Sequence, residues 1–140
     1  MQVAEIKKVL GGDKVLRKKI RDRFDLIELS NKGLTKDALI HLSDFLSLSL
    51  RQLSDLLPIT ERTIRRNKYF SSIVSEQILQ IAEVATRGVE VFGDKDKFIN
   101  WMNHPCKPLA NKTPLSLLNS RFGMEMVLDE LGRIEHGIFA

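Results

Sequence analysis

Apolar residues between Ser75 and Gly93 recur at intervals of four and three, and this periodicity limits the possible folds more than any other feature of the chain. An α-helix places residues at such intervals on one face. The recurring residues are Ile78, Ala82, Ala85, Val89 and Phe92. A helix with so wide an apolar face has to bury it against other apolar surface. The pattern therefore predicts a long amphipathic helix that ends at Gly93 and packs into a core.

The stretch that follows Thr35 has the sequence form of a helix-turn-helix. Apolar spacing predicts a first helix over residues 36–47. Ser49 and Gln52 form a capping box, in which each side chain bonds a free backbone amide of the other residue, and this opens a second helix. Pro58 cannot continue that helix, so the chain turns there.

The helix after this turn carries the candidate DNA-binding residues. Ile64 is predicted to point inward and the arginines to point outward. Arginine side chains on a helix in the major groove can bridge phosphates or bond guanine edges. The candidates are Thr60, Arg62, Thr63, Arg65 and Arg66. A helical packing unit with solvated arginines gives the same pattern, so the pattern alone does not separate these two interpretations.

Charge is distributed unevenly along the chain. Residues 1–70 hold 15 Lys and Arg against 9 Asp and Glu, whereas residues 71–140 hold 7 against 9. A basic half beside a mildly acidic half suggests two surfaces with two tasks, and makes the basic half a candidate for phosphate contact. We therefore predict a domain boundary after residue 70.

The run KVLRKKIRDRF near the amino terminus is predicted to form one amphipathic helix. Its apolar residues lie at roughly helical spacing and are Leu16, Ile20, Phe24 and Ile27. The cations on its other faces are either simply solvated or form an additional phosphate-contacting face. By composition, residues 30–33 are expected to form a turn.

The last 28 residues are predicted to form two helices and an apolar tail. The hydroxyl of Thr113 is expected to cap the start of the first helix, and Gly123 is expected to end that helix. On the second helix, Asp129 and Arg133 have the spacing of an i, i+4 ion pair. Gly137 is expected to end that helix. The final residues are apolar, whereas chain ends are usually polar, so they are expected to meet a partner or a docking groove.

The sequence contains few candidate catalytic residues. Its three histidines, His41, His104 and His136, lie on separate predicted elements without metal-ligand spacing. No phosphate-binding loop and no nucleophile elbow occurs. We therefore expect a protein that is not an enzyme and uses no cofactor or metal. The single Cys106 and the lack of a long apolar run are consistent with a cytoplasmic location without a membrane segment.

At this point the chain shows a family resemblance. The run FDLIELSNKGLTKDALIHLSDFLSLSLRQLSDLLPITERTIRR resembles the amino-terminal half of the Xre/MbcA/ParS antitoxin family, most strongly in LLPITERTIRR. SEQILQIAEVATRGVEVFG, FINWM, TPLSLL and the closing LGRIEHGIFA are similar to the toxin-binding domain of that family. The resemblance extends from about Phe24 to Ala140. The chain departs from the family pattern at Ala110-Asn111, where family members often carry Gly-Gly. Because Asn tolerates a positive φ, the turn can form here, but the sequence does not determine its geometry.

The resemblance implies an all-α fold with an Xre-like helix-turn-helix DNA-binding domain and a small helical toxin-binding and dimerisation domain. The charge boundary places these domains at residues 1–70 and 71–140, and Met1 to Arg23 lies outside the resemblance. It also implies a homodimer whose partner is a RES-domain toxin that degrades NAD. The antitoxin would cover the entrance to the toxin's active site and repress its own promoter by binding operator DNA. The alternative is a stand-alone helix-turn-helix transcriptional regulator whose carboxyl-terminal half only dimerises.

Two further expectations concern the second half. Its helices carry more apolar surface than about 70 residues can bury alone, so Phe92, Phe98 and Trp101 are expected in or near a dimer core. The apolar tail and its carboxylate are expected to plug the toxin's cleft, with polar groups just upstream, unless Ile138 and Phe139 fold back onto the antitoxin's own core. The candidate toxin-binding residues are Arg133, Glu135, His136, Gly137, Ile138, Phe139 and Ala140.

Overall fold

The computed structural model describes residues 2–137 and is all-α, as predicted. Its α-helices are α1 (Gln2–Val9), α2 (Gly12–Leu16), α3 (Arg23–Lys32), α4 (Lys36–Leu46), α5 (Leu50–Leu56), α6 (Glu61–Arg66), α7 (Ser72–Phe92), α8 (Lys95–Met102) and α9 (Arg121–Glu135). Two short 3-10 helices, Lys107–Leu109 and Leu115–Asn119, lie between α8 and α9. No β-strand occurs within residues 2–137; two isolated bridges join Thr35 to Tyr69 and Cys106 to Lys112.

The contacts of the chain divide it into two compact units. The first ends at Glu83 and the second begins at Val84, so the division falls inside α7. The long helix predicted from apolar spacing is therefore present and contributes to both units. The domain boundary placed after residue 70 on the basis of charge stays a prediction.

The first unit is built around fully buried aliphatic side chains. The largest of these are Ile6, Leu10, Leu34, Leu39, Leu42, Leu53, Ile64, Ile78 and Ile81. Ser75 of α7 lies among them without exposure, and its hydroxyl accepts a hydrogen bond from the Leu34 amide at 2.8 Å. Because a buried hydroxyl needs a partner, this bond fixes the segment before α4 against α7.

The single amphipathic helix predicted for KVLRKKIRDRF is wrong. Helix α2 ends at Leu16, and Arg17 takes a left-handed conformation with φ of 55°. Asp13 Oδ1 then accepts a hydrogen bond from the Ile20 amide at 3.2 Å, and Asp22 caps a separate helix, α3. Two aspartates thus replace helical backbone bonds with side-chain bonds, which is how this residue type competes with helix formation.

The break changes which of the predicted apolar residues are buried. Leu16 and Ile20 lie in the core, but Phe24 is 79% and Ile27 is 56% exposed. The turn predicted over residues 30–33 is also wrong in part, because α3 continues to Lys32 and only Gly33, with φ of 103°, leaves the helix.

The second unit packs α8, α9 and the two 3-10 helices with the end of α7. Its fully buried side chains include Phe98, Leu109, Leu118, Val127 and Leu131. Phe92 and Trp101 are only half-buried, and their ring centroids lie 5.5 Å apart beside Phe98. Phe98 therefore belongs to the core of its own chain, whereas Phe92 and Trp101 keep free surface.

Gly123 does not end a helix, contrary to the sequence prediction. Ser120 caps α9 by accepting a hydrogen bond from the Gly123 amide at 3.0 Å, so Gly123 lies in the first turn of α9. A Cβ atom at Gly123 would stand 1.8 Å from the carbonyl oxygen of Leu117. The glycine is required by this close backbone approach between the second 3-10 helix and α9, and not by a helix terminus.

Candidate functional site

The helix-turn-helix is formed by α5 and α6. The predicted capping box opens α5: the Ser49 amide donates to Gln52 Oε1 at 2.9 Å, and the Gln52 amide donates to Ser49 Oγ at 3.1 Å. Leu57 and Pro58 then turn the chain, and Leu57 is buried. The turn therefore fixes where α6 begins.

Helix α6 is oriented as predicted. Thr60 Oγ1 accepts a hydrogen bond from the Thr63 amide at 3.1 Å, and the two threonine hydroxyls lie 3.0 Å apart. Ile64 is fully buried, which turns the opposite face of the helix to solvent. Arg62, Arg65 and Arg66 are exposed on it, and Thr63 is half-buried.

The three arginines of α6 differ in their electrostatic surroundings. Arg65 Nη2 and Nε both lie within hydrogen-bond distance of Glu61 Oε2, at 2.6 and 3.1 Å. Within residues 2–137, neither Arg62 nor Arg66 forms an ion pair. Because Glu61 offsets the charge of Arg65, Arg62 and Arg66 are the α6 cations available to an anionic partner.

Three of the six cations in the amino-terminal run KVLRKKIRDRF form ion pairs, and these are Lys18, Arg21 and Arg23. Arg21 donates to Asp25 through its backbone amide at 2.9 Å and through Nε at 3.1 Å. This hydrogen bonding by Arg21, aided by Lys18, lowers the pKa of the buried Asp25. Arg23 binds Glu83 at 3.4 Å. Arg17 is exposed, and no ion pair involves it in the part of the chain that the structure describes.

Helix α9 carries the polar residues proposed upstream of the tail. Residues spaced by four, three, four and three positions share one face of a helix. On α9 and its cap this face holds Phe122, Met126, Asp129, Arg133 and His136. Phe122 is 81% and Met126 47% exposed. The face thus combines an apolar amino-terminal part with a polar carboxyl-terminal part.

Phe122 and Met126 were missed by the sequence reasoning. The signal for them is their i, i+4 spacing on the side of α9 that does not carry the buried Val127 and Leu131. Two large exposed apolar side chains one helical turn apart make this face of α9 a candidate surface for binding a partner.

The ion pair predicted between Asp129 and Arg133 is wrong, because Arg133 Nε instead bonds Glu130 Oε1 at 2.8 Å. Glu130 is 7% exposed, whereas Asp129 lies in solvent. A buried carboxylate is costly unless it is paired, so the guanidinium is drawn to Glu130.

Glu135 is held by a residue of the same unit. Arg87 Nη1 donates to Glu135 Oε2 at 3.0 Å, and Arg87 Nη2 donates to the other carboxylate oxygen. These bonds from Arg87 lower the pKa of Glu135 and raise the pKa of Arg87 itself. Glu135 therefore anchors the end of α9, while its neighbour His136 is exposed.

The predicted break at Gly137 is present two residues after α9 ends at Glu135: Gly137 has φ of 70° and donates its amide to the Ile134 carbonyl at 3.1 Å. A glycine in the left-handed conformation is the usual end of an α-helix. The tail residues Ile138, Phe139 and Ala140 lie outside the described residues.

The turn that departs from the family pattern keeps a left-handed geometry. Ala110 and Asn111 have φ of 58° and 61°, and the Cys106 amide donates to the Lys112 carbonyl at 3.0 Å to close the loop. The half-buried Cys106 has a raised pKa, first because of burial and then because of the Glu130 charge. A thiol in such surroundings is a poor nucleophile.

Residues 2–137 contain no group of three or more His, Cys, Asp or Glu side chains placed to hold a metal ion. None of the described helices has the length and apolar content needed to cross a bilayer.

Comparison with protein families identifies both halves of the chain. Residues 25–83 match the antitoxin Xre-like helix-turn-helix domain, and residues 87–137 match the antitoxin Xre/MbcA/ParS C-terminal toxin-binding domain. An Antitoxin Xre of Yersinia enterocolitica is 31% identical over 120 residues, which are 82% of this chain and 81% of the relative. An Antitoxin Xre of Photorhabdus laumondii is 40% identical over 70 residues, 49% of this chain and 47% of that protein.

A similar fold occurs in a solved structure, the crystal structure of the M. tuberculosis MbcT–MbcA toxin–antitoxin complex. The similarity has a TM-score of 0.58 and covers 86% of this chain and 100% of the matched chain at 17% sequence identity. At this identity the likeness concerns the fold alone. The family matches and the extensive Yersinia relationship favour the antitoxin over a stand-alone regulator. The chain belongs to the Xre/MbcA/ParS antitoxin family and is the antitoxin of a toxin–antitoxin system, with an Xre-like helix-turn-helix domain followed by a toxin-binding domain.

Proposed function

We propose that this antitoxin neutralises a RES-type, NAD-degrading toxin by occluding its active site, and that it represses its own operon as a homodimer bound to operator DNA. Toxin neutralisation is supported by the exposed face of α9. This face contains Phe122 and Met126 near its start and Arg133 and His136 near its end. In the MbcT–MbcA complex, a protein of similar fold is assembled with a toxin.

The segment after α9 is the proposed plug. A site that admits a cofactor is concave and mostly apolar, with a few polar groups that fix orientation. Ile138, Phe139 and Ala140 have the matching apolar character. Gly137 follows the end of α9, and Arg133 and His136 supply polar groups just upstream in the sequence.

Glu135 has a different role in this proposal. Because its carboxylate is bonded by Arg87, it positions the end of α9. The toxin-contacting groups are then Arg133, His136, Gly137 and the three tail residues, and we add Phe122 and Met126 to them.

Operator binding is supported by the exposed arginines of α6. Thr60 and Thr63 set the start of this helix, and Arg62 and Arg66 are free of internal ion pairs in the described chain. A helix presenting such side chains can enter the major groove. Dimerisation is supported by the free surface of Phe92 and Trp101 in the second unit.

The decisive experiment co-expresses the antitoxin with a RES-type protein, which is expected to be encoded beside its gene, and measures cellular NAD together with co-purification. Phe139→Asp and Phe122→Ser should each lower protection and co-purification, with the melting temperature unchanged. Phe24→Ser is the matched control, because Phe24 is 79% exposed against 81% for Phe122, and lies in the first unit.

Two results would reject the toxin-binding surface. Full protection by both Phe139→Asp and Phe122→Ser would show that the toxin contacts other residues. A melting temperature lowered by several degrees in Phe139→Asp would show that the tail packs on the antitoxin's own core, since losing a buried Phe destabilises by about 3 kcal/mol. Failure of the native chain to bind any RES-type protein would instead mean that its toxin belongs to another class.

A further inference from the structure

Apart from Arg66, the residues that line a basic cleft in the first unit have no part in the functions discussed so far. Its volume is about 170 Å³. The charged side chains that line it are Arg17, Lys36, Asp37, Arg66 and Lys68. Four cations and one carboxylate give the cleft a strongly positive character. Like charges at close range repel one another, so their convergence indicates a site for an anionic ligand.

Arg17 comes to this cleft from outside the helix-turn-helix. It follows α2 in a left-handed conformation, with φ of 55° and ψ of 32°. The Lys18 amide bonds the Asp13 carbonyl at 3.3 Å and holds this turn in place. Unlike Lys18, Arg21 and Arg23, Arg17 has no carboxylate partner in the described part of the chain.

A backbone hydrogen bond connects Lys36 and Lys68, two other cations of the cleft. The Lys36 amide donates to the Lys68 carbonyl at 3.3 Å, and Lys36 Nζ donates to the Arg65 carbonyl at 2.8 Å. The segment that leaves α6 is therefore fixed against the start of α4. Arg66 belongs to α6 and also lines the cleft, so the cleft continues the exposed arginine face of the recognition helix.

We propose that this cleft binds a phosphate of the DNA backbone next to the groove entered by α6, with Arg17 acting as a clamp contributed by the segment before the matched helix-turn-helix domain. The inference rests on the proposed DNA-binding function and adds a site to it. A guanidinium is always charged, and its planar fork fits a phosphate. The continuity through Arg66 favours duplex DNA over other polyanions.

The test compares Arg17→Gly with Lys8→Ala in the full-length protein. Each variant removes one positive charge, but Lys8 is an exposed residue of α1 that does not line the cleft. Binding to a duplex from the region upstream of the gene is measured by fluorescence anisotropy at about 50 to 200 mM salt. Arg17→Lys, which keeps the charge, is measured in parallel.

Arg17→Gly should weaken binding roughly 3- to 10-fold and reduce the slope of log affinity against log salt by about 0.9, as loss of one phosphate contact requires. Its melting temperature should be unchanged or higher, because glycine adopts the left-handed conformation without strain. A folding defect therefore cannot mimic the expected result. Lys8→Ala should bind like the native protein, and Arg17→Lys should retain the native slope.

Three outcomes would overturn the inference. If the native protein binds the duplex and Arg17→Gly behaves like Lys8→Ala, the cleft is not a phosphate site, while the proposed DNA binding stands. If the native protein shows no salt-dependent duplex binding, the inference and the proposed DNA binding fail together. If Arg17→Gly loses affinity for anionic lipid vesicles but not for the duplex, the cleft serves a membrane surface instead.

Discussion

Arg87 of α7 donates hydrogen bonds to both carboxylate oxygens of Glu135, the last residue of α9. The two residues are 48 positions apart, and both lie in the second unit. A bidentate arginine–carboxylate pair is the most directional ion pair that side chains form. It holds the end of α9, from which the proposed toxin plug begins.

We expect this pair to make stability depend on pH. The pKa of Glu135 lies below its ordinary value of 4.5, mainly because of the hydrogen bonds from Arg87. A group with a lowered pKa in the folded state contributes stability above its unfolded pKa, and this contribution is lost as pH falls through the folded pKa. The melting temperature of Glu135→Gln should therefore be below that of the native protein at neutral pH, and the difference should shrink under acidic conditions.

The control for this experiment is Glu125→Gln, also on α9. Glu125 pairs with Arg121 at 3.3 Å, but both side chains are largely exposed, and such pairs contribute little. Thermal unfolding monitored by circular dichroism across the acidic range would measure both variants. A difference for Glu135→Gln that stays constant as pH falls would contradict the ion-pair explanation.

Gly123→Ala should destabilise the second unit. The added methyl would meet the Leu117 carbonyl at 1.8 Å, so the backbone of α9 or of the preceding 3-10 helix has to shift. Overpacking of this kind costs about 1–3 kcal/mol. Gly132→Ala is the matched control on the same helix, because a Cβ there meets nothing within 4 Å. It should stabilise by up to about 1 kcal/mol through helix propensity. If denaturant unfolding shows that both substitutions change the free energy of unfolding in the same direction, this interpretation is refuted.

Ala110→Gly should stabilise the protein. Ala110 is exposed and has φ of 58°, a conformation that carries a steric penalty for a residue with a Cβ. Glycine removes that penalty but is more flexible in the unfolded chain, so the net gain is at most about 1 kcal/mol. Asn111→Gly should gain less, since Asn tolerates this region.

Ala4→Gly provides the opposite case for comparison. Ala4 is an exposed residue within α1, where glycine costs roughly 1 kcal/mol. Denaturant midpoints of the three variants should therefore fall on both sides of the native value. A destabilised Ala110→Gly would show that the left-handed turn is not the source of strain.

The arginines of α6 should contribute unequally to operator binding. Arg62→Ala and Arg66→Ala should each weaken binding by roughly tenfold, because these guanidinium groups lack internal partners in the described chain. Arg65→Ala should have a smaller effect, since Glu61 already offsets its charge.

Glu61→Gln tests the same explanation in the opposite direction. It frees Arg65 and should raise affinity for the operator. Electrophoretic mobility shift with a fixed duplex would rank the four variants, and toxin neutralisation should be intact in all of them. Equal losses for Arg62→Ala, Arg65→Ala and Arg66→Ala would mean that the internal ion pair has no influence on DNA contact.

Local sequence determined the long helix α7, the caps of α5 and α6 and the side of α6 that meets solvent. The capping box at Ser49, the Thr60 cap and the left-handed Gly137 all act within about one helical turn. Interactions over so few residues depend on spacing alone, which is why periodicity and turn residues predicted them. The buried position of Ile64 followed from the same spacing.

Tertiary structure decided the features that residue spacing does not predict. Gly123 is required by a carbonyl of another element, and Arg133 chooses Glu130 over Asp129 because only Glu130 is buried. The break between α2 and α3 is local by contrast: Asp13 and Asp22 bond amides three to seven residues away, and apolar spacing alone did not reveal these bonds. Burial, close approach and pairing between distant residues depend on which elements meet, and this information is not contained in any single stretch of the chain.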